Sequence, residues 1–502
     1  MKVPSAAPTG TVRDWIDNNA RTAPSKVAYA FTDGSAALTW ASLANEAYRV
    51  ANKLTNLGAA KGESIAVMMP NSRDAVIAFF GIVYGGMRAT MINLAAGADA
   101  VAYAFDHAEV RYAFVAESQQ ELFAQVKPEK TTALPLSGTS KPTELYEITA
   151  SDQALLMYTS GTTGRPKGVL HSHASLLAGG WTSATAHQLT PEDRGYCVLP
   201  TYHINGLCVT IMSTLIACSE LVVAPKFSIS RFWEDIATHK VSWFSVVPTI
   251  ISHLLHDRVT PAPEVQSRLR FGRSASAPLA PDVHKAFEQR FGVPMIETMG
   301  LTETAAQILS NPLPPGQRVI GSPGIAFGNA ASVLKNDGSE AGIDEEGEMI
   351  IRGPNVMLGY LKNPQATADA FTSGGWLRTG DMVKRDKNGY FFVTGRLKEL
   401  IIKGGENIAP REIDDALYAN QDVVEAAAFA VPCVTYGERV QAAVTLRDGA
   451  TTTAAKLIEE CIKKLGEFKA PEHIFILDEL PKGPSGKIQR AQIPQSIGKV
   501  TN

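Results

Sequence analysis

Five cysteines in 502 residues, Cys197, Cys208, Cys218, Cys433 and Cys461, form no C-x-x-C pair. An odd, scattered set argues against a disulfide framework and a structural zinc site; buried free thiols in a reducing compartment are expected. Excess charge of either sign is missing as well. A net charge of −3, with ten histidines that form no run, gives no footprint for nucleic acid or a polybasic membrane anchor. No apolar stretch is long enough to span a bilayer. The most apolar segment, "GLCVTIMSTLIAC" from Gly206, has the length of a core helix. The opening "MKVPSAAPTGTVRDWIDNNA" lacks a secretory apolar core, and the closing "GKVTN" is no peroxisomal address. The cytoplasm is the expected compartment. Heptads, internal repeats and low-complexity segments are also absent.

What is present reads as an ordinary globular chain, 45% hydrophobic and 19% charged, long enough for two or more domains. "WASLANEAYRVANKLTNLG" puts Leu43, Ala47, Val50, Leu54 and Leu57 on one helical face and ends at Gly58. "SIAVMMP" reads as a buried strand and "RDAVIAFFGIVYGG" as a second helix closed by glycines. Such alternation predicts a mixed, mostly parallel sheet covered by helices. "KPEKTTALPLSGTSKPTE" from Lys127 is expected to be a surface loop. "VSWFSVVPTIISHLL" joins a strand to a helix across Pro248. From Gly321 to Gly395, short apolar runs split by Gly, Asn and Asp predict a β-rich subdomain. After "VTGRLKELI" the texture returns to α+β: a helix over 412–418, strands "EAAAFAVP" and "VQAAVTLR", and a helix over 455–465. This shift places a boundary near Arg396.

One loop carries the first chemistry. In "YTSGTTGRPKG", from Tyr158, Gly161 and Gly164 allow turns that present N–H groups to an anion. Ser160, Thr162 and Thr163 add hydroxyls, and Lys167 adds a positive charge. The Walker pattern requires Gly before the Lys and Ser or Thr after it; here Pro166 precedes Lys167 and Gly168 follows. Taken alone, a solvated Gly/Thr turn competes with a phosphate cradle. Further motifs follow in order: "TMGLTET" (298–304), "GGWLRTGD" ending in Asp381, "GRLKELIIKGGENI" with Arg396 and Lys398, and "LPKGPSGKIQR" with Lys487. Individually, each has a plain reading. Thr302 with Glu303 would cap the start of a helix, Asp381 would be a turn residue, and Lys487 would be a solvated terminal lysine.

The whole string "YTSGTTGRPKG", with those motifs after it, resembles the adenylate-forming superfamily, which includes acyl-CoA synthetases, firefly luciferase and the adenylation domains of peptide synthetases. The likeness runs from "LTWASLANEAYRVANKL" to Lys487. It implies an α/β multidomain chain: a large N-terminal domain (1–395) of mixed α/β sheets plus a β-rich subdomain, and a small mobile α+β C-terminal domain (396–502) hinged near Lys398. It also implies ATP, Mg²⁺ and coenzyme A. By resemblance, Thr159 and the loop through Gly164 and Lys167 grip the β- and γ-phosphates, Thr302 contacts the α-phosphate, and Glu303 holds Mg²⁺. A carboxylate suits a hard cation that bridges phosphates. Met299 stands where many members carry Tyr against the adenine; a thioether still packs on a ring. Asp381 is implied at the ribose hydroxyls and Arg396 at the ribose–phosphate end. Lys487 matches the mobile catalytic lysine, which supplies charge as the acyl-adenylate forms. Gly404, Gly405 and Glu406, in "KGGEN", match the CoA-ligase form of the hinge region, where glycines line a pantetheine tunnel.

For the acid, "PTYHINGL" supplies His203 and Asn205, and "RFGRSASAPLAP" supplies Arg273, Ser274 and Ser276. With "SNPLPP", these look most like the oxalyl-CoA synthetase branch. Polar groups around a small pocket suit a second anionic group better than an alkyl tail. Ser274 and Ser276 have an equal reading as caps of a turn before Pro278. Oxalate-activating members carry His where Ala306 stands, at the end of an expected Glu303 helix. That substitution removes a donor and leaves extra room, so a slightly longer doubly charged acid, malonate-like or a sulfonated acetate, fits as well as oxalate. A ligase for fatty or aromatic acids, an acyl-AMP ligase loading a carrier protein, and an inactive nucleotide-binding protein are the competing readings. A homodimer is left open.

Overall fold

The computed structural model describes residues 3, 5–126, 128–138, 140–159, 166–483 and 486–500. Among these, two large sheets share one core. The first runs in the order Ile325–Ala326, Ala306–Ser310, Met295–Leu301, Phe271–Ser274, Trp243–Val246, Arg194–Cys197, Glu220–Val223, Val27–Phe31, Leu38–Thr39. Its central strands are parallel. The second runs Gly359–Tyr360, Lys167–Ser172, Gln153–Thr159, Arg88–Met91, Ser64–Met68, Tyr112–Val115, Thr132–Leu134. Its last three residues form a short edge strand inside the segment expected to be only a loop.

The helices Arg73–Tyr84 and His173–Ala186 lie between the sheets, which is why nearly every residue of each is buried. An all-round apolar helix has no solvent face to keep polar. Trp40–Asn56 covers the outside instead and is amphipathic. Leu43, Ala47, Val50 and Leu54 are buried, while Leu57, past the helix end, is 42% exposed. Thr39 starts this helix by accepting the Ser42 N–H at 3.1 Å. The segment from Gly206 is helical, wound as a π-helix over Asn205–Met212 and as α over Ser213–Ala217.

The β-rich subdomain is a four-stranded antiparallel sheet, Ala330–Leu334, Glu346–Arg352, Leu377–Arg385 and Phe391–Arg396. The C-terminal sheet joins Glu406–Ile408, Ile401–Lys403, Gly437–Leu446 and Val423–Cys433, with His473–Ile476 alongside. Pro410–Tyr418 and Ala454–Leu465 pack on it around their own core. The five thiols are free; four are buried, but Cys433 is only half-buried.

The expected Glu303 helix is not one. Thr302–Thr304 is a single tight turn, and Ala306–Ser310 is a strand that pairs antiparallel with Met295–Leu301. Ala305 and Ala306 take positive φ (45° and 84°) to reverse the chain. Gly300 has to be glycine, since a Cβ there would lie 1.7 Å from the Ala306 carbonyl oxygen. Cross-strand pairing overrides the capping signal.

Candidate active site

The parallel strands Trp243–Val246, Phe271–Ser274 and Met295–Leu301 end side by side, and a cavity of about 170 Å³ opens beyond their carboxyl ends. Ligands of α/β sheets bind at such ends, where loops diverge. Val247, Ser276, Thr298, Met299, Gly300 and Leu301 form one wall, and Asp381, Arg396, Gly486, Lys487 and Arg490 close the other. The C-terminal segment is docked there by Thr249, whose hydroxyl donates to the Gly486 carbonyl at 3.2 Å.

Five expected site residues therefore meet in this cavity: Ser276, Met299, Asp381, Arg396 and Lys487. Asp381 and Arg396 face each other across paired strands, and Arg396 Nε donates to Asp381 Oδ1 at 2.6 Å. Burial pushes the Asp381 carboxyl up, and Arg396 opposes it; the same pairing raises Arg396. Burial pushes the Lys487 ammonium down, helped by Arg396 and opposed by Glu399 and Asp381. A cation is thus held at the cavity by nearby carboxylates against its own desolvation.

A second cluster stands on the seven-stranded sheet. Lys167 Nζ lies 4.8 Å from the centre of the Tyr360 ring, and the Tyr360 hydroxyl donates to Glu303 Oε1 at 2.8 Å. Thr302 begins the turn that carries Glu303. Thr159 is at the end of its strand, within 3.5 Å of the Lys167 carbonyl oxygen. Ser160, Gly161, Thr162, Thr163 and Gly164 lie outside the described residues. No group of three or more His, Cys, Asp or Glu side chains among the described residues could hold a metal ion. Mg²⁺ takes one or two carboxylates and completes its shell with phosphate and water oxygens, so a lone Glu303, linked through Tyr360 to Lys167, fits it.

Behind the Ser276 wall lies a third group. Ser276 Oγ accepts from Asn205 Nδ2 at 3.1 Å, and Asn205 Oδ1 accepts from Arg273 Nη1 at 2.8 Å. Arg273 also donates to Ser245 Oγ at 3.1 Å and Gln307 Oε1 at 3.3 Å. Arg273 is 1% exposed as a residue, burial pushes its guanidinium down to about 9, and it forms no ion pair with a carboxylate among the described residues. Ser274 Oγ and His203 Nε2 are buried and have no hydrogen-bond partner. Burial pushes His203 down to about 4, so its imidazole is neutral. Ala306 adds only a buried methyl.

Gly404 and Gly405, on the turn after Ile401–Lys403, and Glu406, which begins the strand Glu406–Ile408, are exposed and do not line the cavity. Lys398 is exposed in the turn after Phe391–Arg396. Sequence reasoning missed Tyr360, Gln307 and His171, which bonds the Thr302 carbonyl. For the last two the available signal was a polar residue inside an apolar run, "AAQIL" and "GVLHS".

The cavity floor adds a titrating group. Asp415 is pushed up to about 6, mainly by burial, with Arg411 opposing and Asp414 and Glu297 adding to the rise. An acid whose folded pKa exceeds its unfolded one binds more protons when folded. Its penalty therefore grows as pH rises from its ordinary 3.8 towards about 6 and is complete at neutral pH. Asp415→Asn should raise the melting temperature near neutral pH and lose that advantage on acidification below the ordinary carboxylate range. A difference independent of pH would rule out the buried-acid account.

A sequence model of the AMP-binding enzyme family matches residues 16–361, and that of its C-terminal domain matches 412–487. A sulfoacetate–CoA ligase of Cupriavidus necator is 42% identical over 475 residues, 92% of this chain and 93% of that one. An oxalate–CoA ligase of Arabidopsis thaliana is 35% identical, covering 97% and 98%. The crystal structure of ATP-bound MatB from Rhodopseudomonas palustris superposes with a TM-score of 0.88 at 30% identity, over 98% of this chain and 100% of that one. With this fold, this cavity and these matches, the chain belongs to the AMP-binding enzyme family.

Proposed function

We propose that the chain is an AMP-forming acid–CoA ligase whose acid is small and carries a second anionic group, as sulfoacetate does. Arg273 carries this reading. A buried cation without a counter-ion is unfavourable unless something supplies the missing charge. A sulfonate or second carboxylate entering past Ser276 would do so, with Ser274 Oγ and His203 Nε2 as further partners. An alkyl tail would instead leave the buried Arg273 cation without a counter-charge. Among relatives of this chain, the sulfoacetate and oxalate ligases belong to the same class of acid. Ala306, lacking a donor, favours the longer of those two.

In this reading Asp381 and Arg396 take the ribose, Met299 packs on the adenine, and Lys167 with the 159–164 loop takes the β- and γ-phosphates. Thr302 contacts the α-phosphate. Glu303 would hold Mg²⁺, which neutralises charge between phosphates. A carboxylate oxygen of the acid attacks the α-phosphorus, and pyrophosphate leaves with the electron pair of the broken P–O bond. Lys487 is the cation at that point, where the two reactants are both anionic. The CoA thiol gives its proton to solvent, its sulfur bonds the acyl carbon, and AMP departs with the electron pair of the broken acyl C–O bond. For this step residues 396–502 turn about Lys398, away from 1–395, and bring Gly404, Gly405 and Glu406 to the acyl group. No enzyme nucleophile is required. Five free thiols suit a cytoplasmic setting.

Pyrophosphate release with sulfoacetate, malonate, oxalate, butyrate and hexanoate tests the acid class. Sulfoacetate should give the highest kcat/KM, malonate measurable turnover, and the fatty acids background. CoA alone should serve as acceptor. The highest kcat/KM on butyrate or hexanoate would overturn the reading.

A further inference from the structure

The turn that carries Glu303 is held partly from within, where Thr304 Oγ1 accepts from the Leu301 N–H at 3.1 Å and donates to the Ala306 carbonyl at 2.9 Å. Two successive non-glycine residues, Ala305 and Ala306, follow it with positive φ, a conformation that L side chains adopt only when their surroundings enforce it. Three further bonds to its carbonyls come from outside. The carbonyl of Thr304 accepts from Asn355 Nδ2 at 2.9 Å, that of Glu303 from the Met357 N–H at 2.8 Å, and that of Thr302 from His171 at 2.7 Å.

Of these three donors, only His171 belongs to the strand that starts at Lys167. Alternate residues of a strand share a face, so Lys167, Val169 and His171 project on the same side. Tyr360 is paired with Val169 in the neighbouring strand, and it is Tyr360 that lies against Lys167 and bonds Glu303. One strand face therefore presents the phosphate-loop lysine at one end and the anchor of the Glu303 turn at the other.

The protonation of His171 follows from its partners. The Thr302 carbonyl only accepts, so Nε2 carries the hydrogen. Nδ1 is then bare and accepts from the Ser175 hydroxyl at 3.0 Å. Burial holds the ring down to about 4, so this arrangement does not titrate in the neutral range.

We propose that His171 is a positioning residue for the metal-bearing carboxylate: its bond to the Thr302 carbonyl fixes the turn so that Thr302 and Glu303 face the phosphates gripped from Lys167. The proposal rests on Glu303 being the Mg²⁺ ligand. A purely structural role would predict lost stability with metal affinity intact in whatever folds. A positioning role predicts lost metal affinity that a side chain of the same reach restores. Glutamine places an amide N–H about as far from the backbone as His Nε2, whereas leucine places none.

The test is Mn²⁺ binding, read by electron paramagnetic resonance, to the complex of full-length enzyme with α,β-methylene-ATP. Affinity should fall about 10-fold or more in His171→Leu, the range seen when the partner of a metal ligand is removed, and recover in His171→Gln. If His171→Leu does not fold, His171→Asn takes its place with the same expectation, since it reaches Ser175 but not Thr302. Unchanged affinity in the folded variant, or equal loss in the glutamine variant, would overturn the proposal. Glu303→Gln separates the two layers. If it leaves Mn²⁺ affinity unchanged, the ligand assignment itself fails; if it alone weakens binding, only the role of His171 fails.

Discussion

Lys487→Ala is expected to slow acyl-adenylate formation by about 10²–10³-fold, the loss typical when one preorganised group that stabilises transition-state charge is removed. Thioester formation from supplied acyl-adenylate and CoA should continue at the wild-type rate. The asymmetry follows from where the charge is needed. In the first half-reaction a carboxylate approaches a phosphate, and both are anionic. In the second the attacked centre is a mixed anhydride, already activated. The lysine has no covalent role to lose, and its loop has other attachments. Gly483 N–H donates to the Lys487 carbonyl at 2.7 Å, and Thr249 bonds Gly486, so the backbone should stay in place when the side chain is cut. Because burial pushes the ammonium down, adenylation should also decline on the alkaline side before an ordinary lysine would lose its proton. Pyrophosphate release and thioester formation, measured separately, check both points. Equal loss in the two half-reactions would remove Lys487 from the adenylation step.

The pairing of Asp381 with Arg396 shows what was legible in the sequence and what was not. Both residues stood out through resemblance, fifteen positions apart, but their mutual contact comes from the register of two antiparallel strands. Trp40–Asn56 was legible from the 3.6-residue period alone, since one face meets the core and the other meets water. The same period wrongly includes Leu57, because periodicity carries no information about where the helix stops. "TET" reads as a helix cap locally, yet the chain there reverses into a strand, since the sheet edge at Met295–Leu301 is available to pair. Tyr360 was invisible for another reason. It meets Glu303 across 57 residues of sequence, through a two-residue strand too short to leave a pattern. Residues whose role is fixed by long-range pairing do not announce it locally.

Arg273→Met should reduce kcat/KM for sulfoacetate by roughly 30-fold to several thousand-fold, matching the about 2–5 kcal/mol lost when one partner of a buried charged pair is truncated. For butyrate the same change should be neutral or favourable, because the cation that excludes an alkyl tail is gone. The two acids thus move in opposite directions, which a general loss of packing cannot produce. Stability should change little. The substitution removes an unfavourable buried charge, and it also leaves Gln307 Oε1 without its donor and Asn205 Oδ1 with only the Ser245 hydroxyl. Gln307 remains tied through Nε2 to the Thr182 carbonyl at 3.3 Å, and Asn205 through Nδ2 to Ser276, so the pocket wall keeps its outline. Arg273→Lys refines the point. A lysine retains the charge but has no planar fork to serve Asn205, Ser245, Gln307 and an incoming anion together, so an intermediate kcat/KM is expected. Parallel loss on sulfoacetate and butyrate in Arg273→Met would mean that the buried guanidinium holds the fold and not the substrate.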